Sequence, residues 1–200
     1  MVPQTIILIG RSGCGKGTQA ALFRNRLDRI DKQKQPILYV ETGQYFREFI
    51  REGTFSSTLS KVINEKGERQ PNFLACWMWS KVLIEELTEG MHLIFDGAPR
   101  ARAEAEILTT ALRFYKRETP VVIHINVSRL WSEEKLLKRG RSDDLTIEKI
   151  DKRLDWFDKD VIPALNYFKS DPFYKFVEVD GEQSIEKVHA DIVAAYEYSH

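Results

Sequence analysis

Thr5-Ile6-Ile7-Leu8-Ile9-Gly10-Arg11-Ser12-Gly13-Cys14-Gly15-Lys16-Gly17-Thr18-Gln19 is the stretch whose reading decides the fold. Its first five residues form a short Ile/Leu-rich run of the kind that makes a buried strand. The strand feeds a G-x-x-x-x-G-K loop and then the start of a helix. Glycines open backbone conformations that let successive N–H groups point into one concavity, and the helix presents its positive dipole end to the same place. Lys16 adds a formal charge suited to β- and γ-phosphates. Strand, loop and helix in that order name the ligand class as nucleoside polyphosphates.

Outward from the loop, residues 18–30 read as a helix with Ala20, Ala21, Leu22, Phe23 and Leu27 on or near one face, ending in the polar stretch 31–36. Further short strands are expected at 37–40, 93–95, 121–127 and 176–179. Helical periods cover 72–89, 103–117, 131–139 and 146–169, with Gly90 as a helix stop and Pro163 kinking or splitting the last. Alternating strand and helix predict an α/β fold with a parallel sheet. In open parallel sheets ligands gather at the carboxyl ends of the strands, and 10–18, 41–43 and 96–97 all fall just past strands. Three loops thus converge on one crevice.

The 200 residues suffice for one α/β domain, and no linker-like composition break divides them. Thirty basic and thirty acidic side chains cancel, which argues against nucleic acid or an anionic membrane as partner. Neither a membrane-spanning apolar run nor a cleavable leader is recognisable, so a cytoplasmic monomer is the expectation. Cys14 and Cys76 are too few for a disulfide framework or a four-ligand zinc site. Cys14 reads either as a small residue that fits the loop or as an oxidisable thiol beside Lys16. Trp77, Trp79, Trp131 and Trp156 read as core or interface residues, and His92, His124, His189 and His200 lack ligand-spaced partners.

Gly17 stands directly after Lys16, where the general phosphate-binding loop carries a magnesium-ligating hydroxyl, and the hydroxyl comes one place later at Thr18. Gly-Lys-Gly-Thr-Gln resembles the nucleoside monophosphate kinases of the adenylate kinase family. Thr42-Gly43-Gln44-Tyr45-Phe46-Arg47 resembles the family's T-G-D-x-x-R segment, and Asp96-Gly97-Ala98-Pro99-Arg100 its D-G-F-P-R. Arg139-Gly140-Arg141-Ser142-Asp143-Asp144, followed by Arg153, resembles a shortened lid. The likeness implies a three-layer P-loop NTPase sandwich around a five-stranded parallel sheet. It also implies a helical acceptor-binding segment at 42–71 and a minimal lid at 139–145. The implied reaction is magnesium-dependent transfer of the γ-phosphoryl group of ATP to a nucleoside monophosphate, AMP first.

On that likeness Gly13, Cys14, Gly15, Lys16, Gly17, Thr18, Arg139 and Gln183 bind ATP, with Arg139 stacked on the adenine. Thr42, Arg47, Glu68, Arg69, Gln70, Gly97, Arg100 and Glu104 bind the acceptor, and Arg47 and Arg100 clamp its phosphate. Lys16, Arg100, Arg141 and Arg153 are the catalytic set, and Asp96 holds Mg2+ through water. The chemistry of the residues agrees. Transfer between two nucleotides needs planar, permanently charged donors around an anion whose charge shifts, which arginine supplies. Asp96 ends an apolar strand, where a carboxylate must be paired, hydrogen-bonded or near a metal. Asp143 and Asp144 either orient the lid arginines or cap the next helix.

Three positions depart from the adenylate pattern: Gln44 replaces aspartate, Ala98 replaces phenylalanine, and Glu104 stands where an adenine-reading glutamine is usual. Glutamine both donates and accepts, whereas ionised glutamate only accepts, which also suits cytosine or guanine amino groups. CMP, UMP and GMP therefore stay open as acceptors. A small-molecule kinase of the shikimate or gluconate type lacks the paired acceptor arginines. A non-catalytic nucleotide-sensing module sits poorly with the retained Lys16, Arg100, Arg141 and Arg153.

Overall fold

The computed structural model describes residues 1–139 and 146–197. Strands β1 (Thr5–Gly10), β2 (Ile37–Glu41), β3 (His92–Asp96), β4 (Val121–Asn126) and β5 (Lys175–Asp180) form one parallel sheet in the order β2-β3-β1-β4-β5. Side chains alternate across a strand, so the sheet serves two cores. Ile7 and Ile9 of β1 face a layer made by Trp79 and Leu83 of α4 (Asn72–Glu86), Leu108 and Leu112 of α5 (Arg102–Phe114), and Leu165 and Phe168 of α8 (Ile162–Ser170). Ile6 and Leu8 face the other layer, made by Phe23 and Leu27 of α1 (Lys16–Ile30) and Val188, Ile192 and Tyr196 of α9 (Ile185–Glu197). The result is the expected three-layer sandwich. Fully buried Trp79, Phe23, Phe95 and Phe168 dominate it, each stabilising the fold by roughly 1.5–3 kcal/mol.

Between β2 and β3 the chain adds α2 (Thr42–Phe49) and α3 (Phe55–Glu65) before α4. Thr54 caps α3, accepting the Ser57 N–H at 3.1 Å. Phe49, Leu74 and Met78 give this region a small core of its own. Helices α6 (Arg129–Arg139) and α7 (Ile147–Trp156) follow β4 and share a core of Leu136, Ile150 and Leu154. Gly140, Arg141, Ser142, Asp143 and Asp144 of the expected lid lie outside the described residues, as does His200.

Several boundaries differ from the sequence reading, each for a physical reason. The first helix begins at Lys16 because Gly15, with φ 91°, takes the N-cap position, and Ala21 is exposed while Ala20, Phe23 and Leu27 are buried. Helix α4 stops at Glu86 rather than running to 89: Leu87 turns extended and packs on the core, and Gly90 belongs to the following turn. Helix α5 stops at Phe114 rather than reaching 117. Arg117 instead turns inward and donates to the carbonyls of Gln4 and Met91 and the hydroxyl of Thr5, at 2.8, 2.9 and 2.7 Å. The expected helix over 146–169 is interrupted ahead of Pro163, by a π-helical turn at Phe157–Val161 that lets Pro163 sit in the first turn of α8.

Candidate active site

A cleft of about 920 Å3 lies across the carboxyl ends of the strands. The loop after β1 forms its floor. A Cβ on Gly10 would come within 2.5 Å of the Ile125 carbonyl oxygen, so only glycine fits where β1 passes β4 into the loop. Gly15 offers α1 no side-chain cap, which leaves the N–H groups of its first turn to an outside anion. Lys16 Nζ donates to the carbonyls of Gly10 (2.7 Å) and Arg11 (2.9 Å), which holds the ammonium against the loop. Gly13, Cys14, Gly15, Lys16, Gly17 and Thr18 all line the cleft, as the sequence predicts. Cys14 is nevertheless buried, the packing expected of a small residue that fits the loop.

One wall comes from α6. Trp131, Lys135 and Arg139 follow one another at four-residue intervals and all line the cleft, with Lys135 Nζ 4.4 Å above the Trp131 ring. Gln183 lines it too, its amide held by the Asp180 carbonyl (2.8 Å) and Asp191 (3.0 Å).

The opposite wall carries Gly43, Arg47, Glu68, Gln70, Gly97 and Arg100. A Cβ on Gly43 would stand 3.3 Å from Arg47 Nη1 and 3.8 Å from Arg100 Nη2, so the two guanidinium groups meet over this glycine. Arg100 Nε donates to the Gly97 carbonyl at 2.6 Å, and its Cζ lies 5.7 Å from the Trp156 ring. Burial, and next the neighbouring charge of Arg153, lowers the Arg100 pKa, so an anion bound here relieves an electrostatic cost. Arg153 and Trp156 of α7 complete this corner. Gln70 is locked to Ser60 by two 2.9 Å hydrogen bonds.

Three expected acceptor residues are not brought to the cleft surface. Thr42 is buried, with a hydroxyl that has no hydrogen-bond partner among the described residues. Glu104, 1 % exposed, accepts from Arg69 Nη1 (2.9 Å) and from the Arg100 backbone N–H (3.0 Å). Burial raises the Glu104 pKa, against the opposing pull of these partners. Arg69 also donates to Asn72 (2.7 Å) and Asp160 (3.1 Å), so it ties the α3–α4 connection to α5 and the π-turn.

Asp96 lines the cleft at the end of β3 and accepts from the Tyr39 hydroxyl at 2.7 Å. Tyr39 and Lys135 line the cleft without a role in the sequence reading, Glu41 lines it at the end of β2 as expected of 41–43, and Trp131 and Trp156, expected in the core or an interface, line it instead. Tyr39 and Glu41 alternate just before the 42–47 segment, and strand periodicity would have placed both on one face. Arg11 pairs with Asp158 and stacks on Phe157 at 4.5 Å, joining the loop to the π-turn. Among the described residues no cluster of three or more His, Cys, Asp or Glu is arranged to hold a metal ion. Nor is any helix long and apolar enough to cross a membrane.

A family model described as adenylate kinase matches residues 8–172. The chain belongs to the adenylate kinase family. An adenylate kinase from Phocaeicola vulgatus is 31 % identical over 196 residues, covering 96 % of this chain and 97 % of that one. Another from Flavobacterium psychrophilum is 30 % identical over 190 residues, covering 92 % and 93 %, and one from Corynebacterium glutamicum is 29 % identical over 191, covering 95 % and 97 %. Membership in the adenylate kinase family makes the chain a nucleoside monophosphate kinase, a phosphotransferase of the P-loop fold. The cleft brings together the glycine-rich loop that carries Lys16 and the cationic corner of Arg47, Arg100 and Arg153.

Proposed function

We propose that the cleft transfers the γ-phosphoryl group of ATP to AMP, giving two ADP. The observation that carries this reading is the meeting of Arg47 and Arg100 over Gly43, in the same cleft as Lys16. Two separate cationic centres suit two nucleotides end to end. ATP lies with its phosphates on residues 13–18 and its base along Trp131, Arg139 and Gln183. The AMP phosphate lies between Arg47 and Arg100, with its base toward Glu68 and Gln70. Arg153 and Arg141, the latter outside the described residues, meet the transferring group with Lys16. Thr42, Arg69 and Glu104 act from behind this wall, shaping it rather than touching the base.

The transfer needs no covalent intermediate. Positioned cations stabilise charge as it develops, and closure of 42–71 keeps water from competing for the phosphoryl group. Mg2+ supplies charge neutralisation on the ATP phosphates when bound. Among the described residues no multi-ligand cluster is arranged for the ion, so phosphate oxygens and water would be its direct ligands, and Asp96, which lines the cleft, would hold it through one of those waters. A single kinase domain over 1–200, acting as a cytoplasmic monomer, is part of the same reading.

Steady-state turnover of AMP, CMP, UMP, dTMP and GMP with ATP and Mg2+ tests the acceptor. AMP is expected to be turned over fastest. Turnover of another monophosphate without turnover of AMP overturns the adenylate assignment.

A further inference from the structure

We propose that Tyr39 is a positioning residue for the metal-dependent step, holding the Asp96 carboxylate so that one of its oxygens stays available to a metal-bound water. The inference rests on the reading of Asp96 as an outer-sphere partner of Mg2+. Tyr39 lies two residues before Glu41 on β2, the edge strand paired with β3, and the register sets Tyr39 beside Ile94 and Glu41 beside Asp96. The phenol therefore reaches along the sheet to the strand end, where it donates to Asp96 Oδ2 at 2.7 Å. An ionised carboxylate only accepts, so this one donor fixes both its rotation and which oxygen is occupied.

Two further contacts define the arrangement. The Arg24 guanidinium covers the Tyr39 ring at 4.9 Å, holding the phenol from the α1 side. Across the cleft floor a Cβ on Gly17 would stand 3.6 Å from Asp96 Oδ2, so the bare glycine gives the carboxylate direct sight of the phosphate-binding loop. Oδ1 takes no hydrogen bond from the described residues and belongs to a residue that lines the cleft. Without the phenolic donor, Asp96 is drawn toward the cations near it, Arg100 among them, and away from the ion.

The test measures Mn2+ affinity, by loss of the free-ion paramagnetic resonance signal, for protein saturated with a bisubstrate analogue joining two adenosines through five phosphates. Tyr39→Phe, which keeps the ring, is expected to raise the Mn2+ dissociation constant at least threefold. Asp96→Asn is expected to raise it further, and the double variant to match Asp96→Asn. The Mg2+ concentration giving half-maximal turnover rises in parallel in Tyr39→Phe, while the KM for the acceptor stays within twofold. Unchanged Mn2+ affinity in Tyr39→Phe, with a loss in Asp96→Asn, overturns the role of Tyr39 and leaves that of Asp96 standing. No change in Asp96→Asn overturns both. A Tyr39→Phe effect that persists undiminished beside Asp96→Asn shows that Tyr39 acts by another route and overturns the proposal.

Discussion

Glu41 and Arg47 form an ion pair of 2.8 Å at the corner of the cleft where Arg47 and Arg100 converge. The carboxylate occupies a guanidinium that the proposed reaction needs for the acceptor phosphate. Both partners are partly exposed, so the pair is worth at most about 1 kcal/mol, or roughly a fivefold effect on binding. Glu41→Gln is therefore expected to lower the KM for AMP two- to fivefold and leave that for ATP unchanged. A higher KM for AMP would show that Glu41 assists the acceptor instead of competing with it.

Glu104 is the carboxylate that anchors the wall behind that corner. Glu104→Ala strands Arg69 and the Arg100 N–H, a loss of about 1–3 kcal/mol of stability by denaturant unfolding. Glu104→Gln keeps an oxygen for one of these donors and is expected to cost less than Ala. Equal stability of Glu104→Ala and the parent protein contradicts the anchoring role.

Lys16→Met removes the ammonium that the Gly10 and Arg11 carbonyls hold against the loop, the group proposed to meet the transferring phosphate. Turnover is expected to fall a hundredfold or more, on the order of 3 kcal/mol of transition-state stabilisation. Arg100→Ala is expected to act mainly on the acceptor, raising its KM with little change for ATP. An effect of Arg100→Ala confined to ATP would invert the assignment of the two nucleotides.

Three histidines give the fold a defined response to acid. Burial lowers the pKa of His92, His124 and His189 below the usual 6.5. The unfolded chain then binds more protons than the folded one once the pH falls below about 6.5, so stability declines as pH decreases. Each histidine contributes a slope of up to about 1.4 kcal/mol per pH unit. Urea unfolding between pH 7.5 and 5.5, above the range where unfolded carboxylates titrate, should show this loss. A flat or opposite dependence contradicts it.

What the sequence disclosed follows from the range of the interactions involved. The strand-loop-helix unit around Lys16 is local, and glycine spacing with apolar periodicity exposes it directly. The five strands were legible because each is a short apolar run, and their common direction because helices separate them. Tyr39 and Asp96 lie 57 residues apart and Arg69 and Glu104 lie 35 apart, so only the folded sheet reveals those pairs. Pro163 signalled a break, but the π-turn falls at 157–161, where Asp158 meets Arg11 of the loop. Glu104 was read as facing the acceptor base, whereas its burial behind Arg69 depends on neighbours contributed by α5, the α3–α4 connection and the π-turn.

The most direct test of the central claim follows the label from ATP carrying 32P in its γ-phosphate, incubated with the protein, AMP and Mg2+. The account predicts label in the β-phosphate of ADP, two ADP formed per AMP consumed, and no transfer without AMP. Label released as inorganic phosphate, or retained in ATP while AMP stays unmodified, would contradict it.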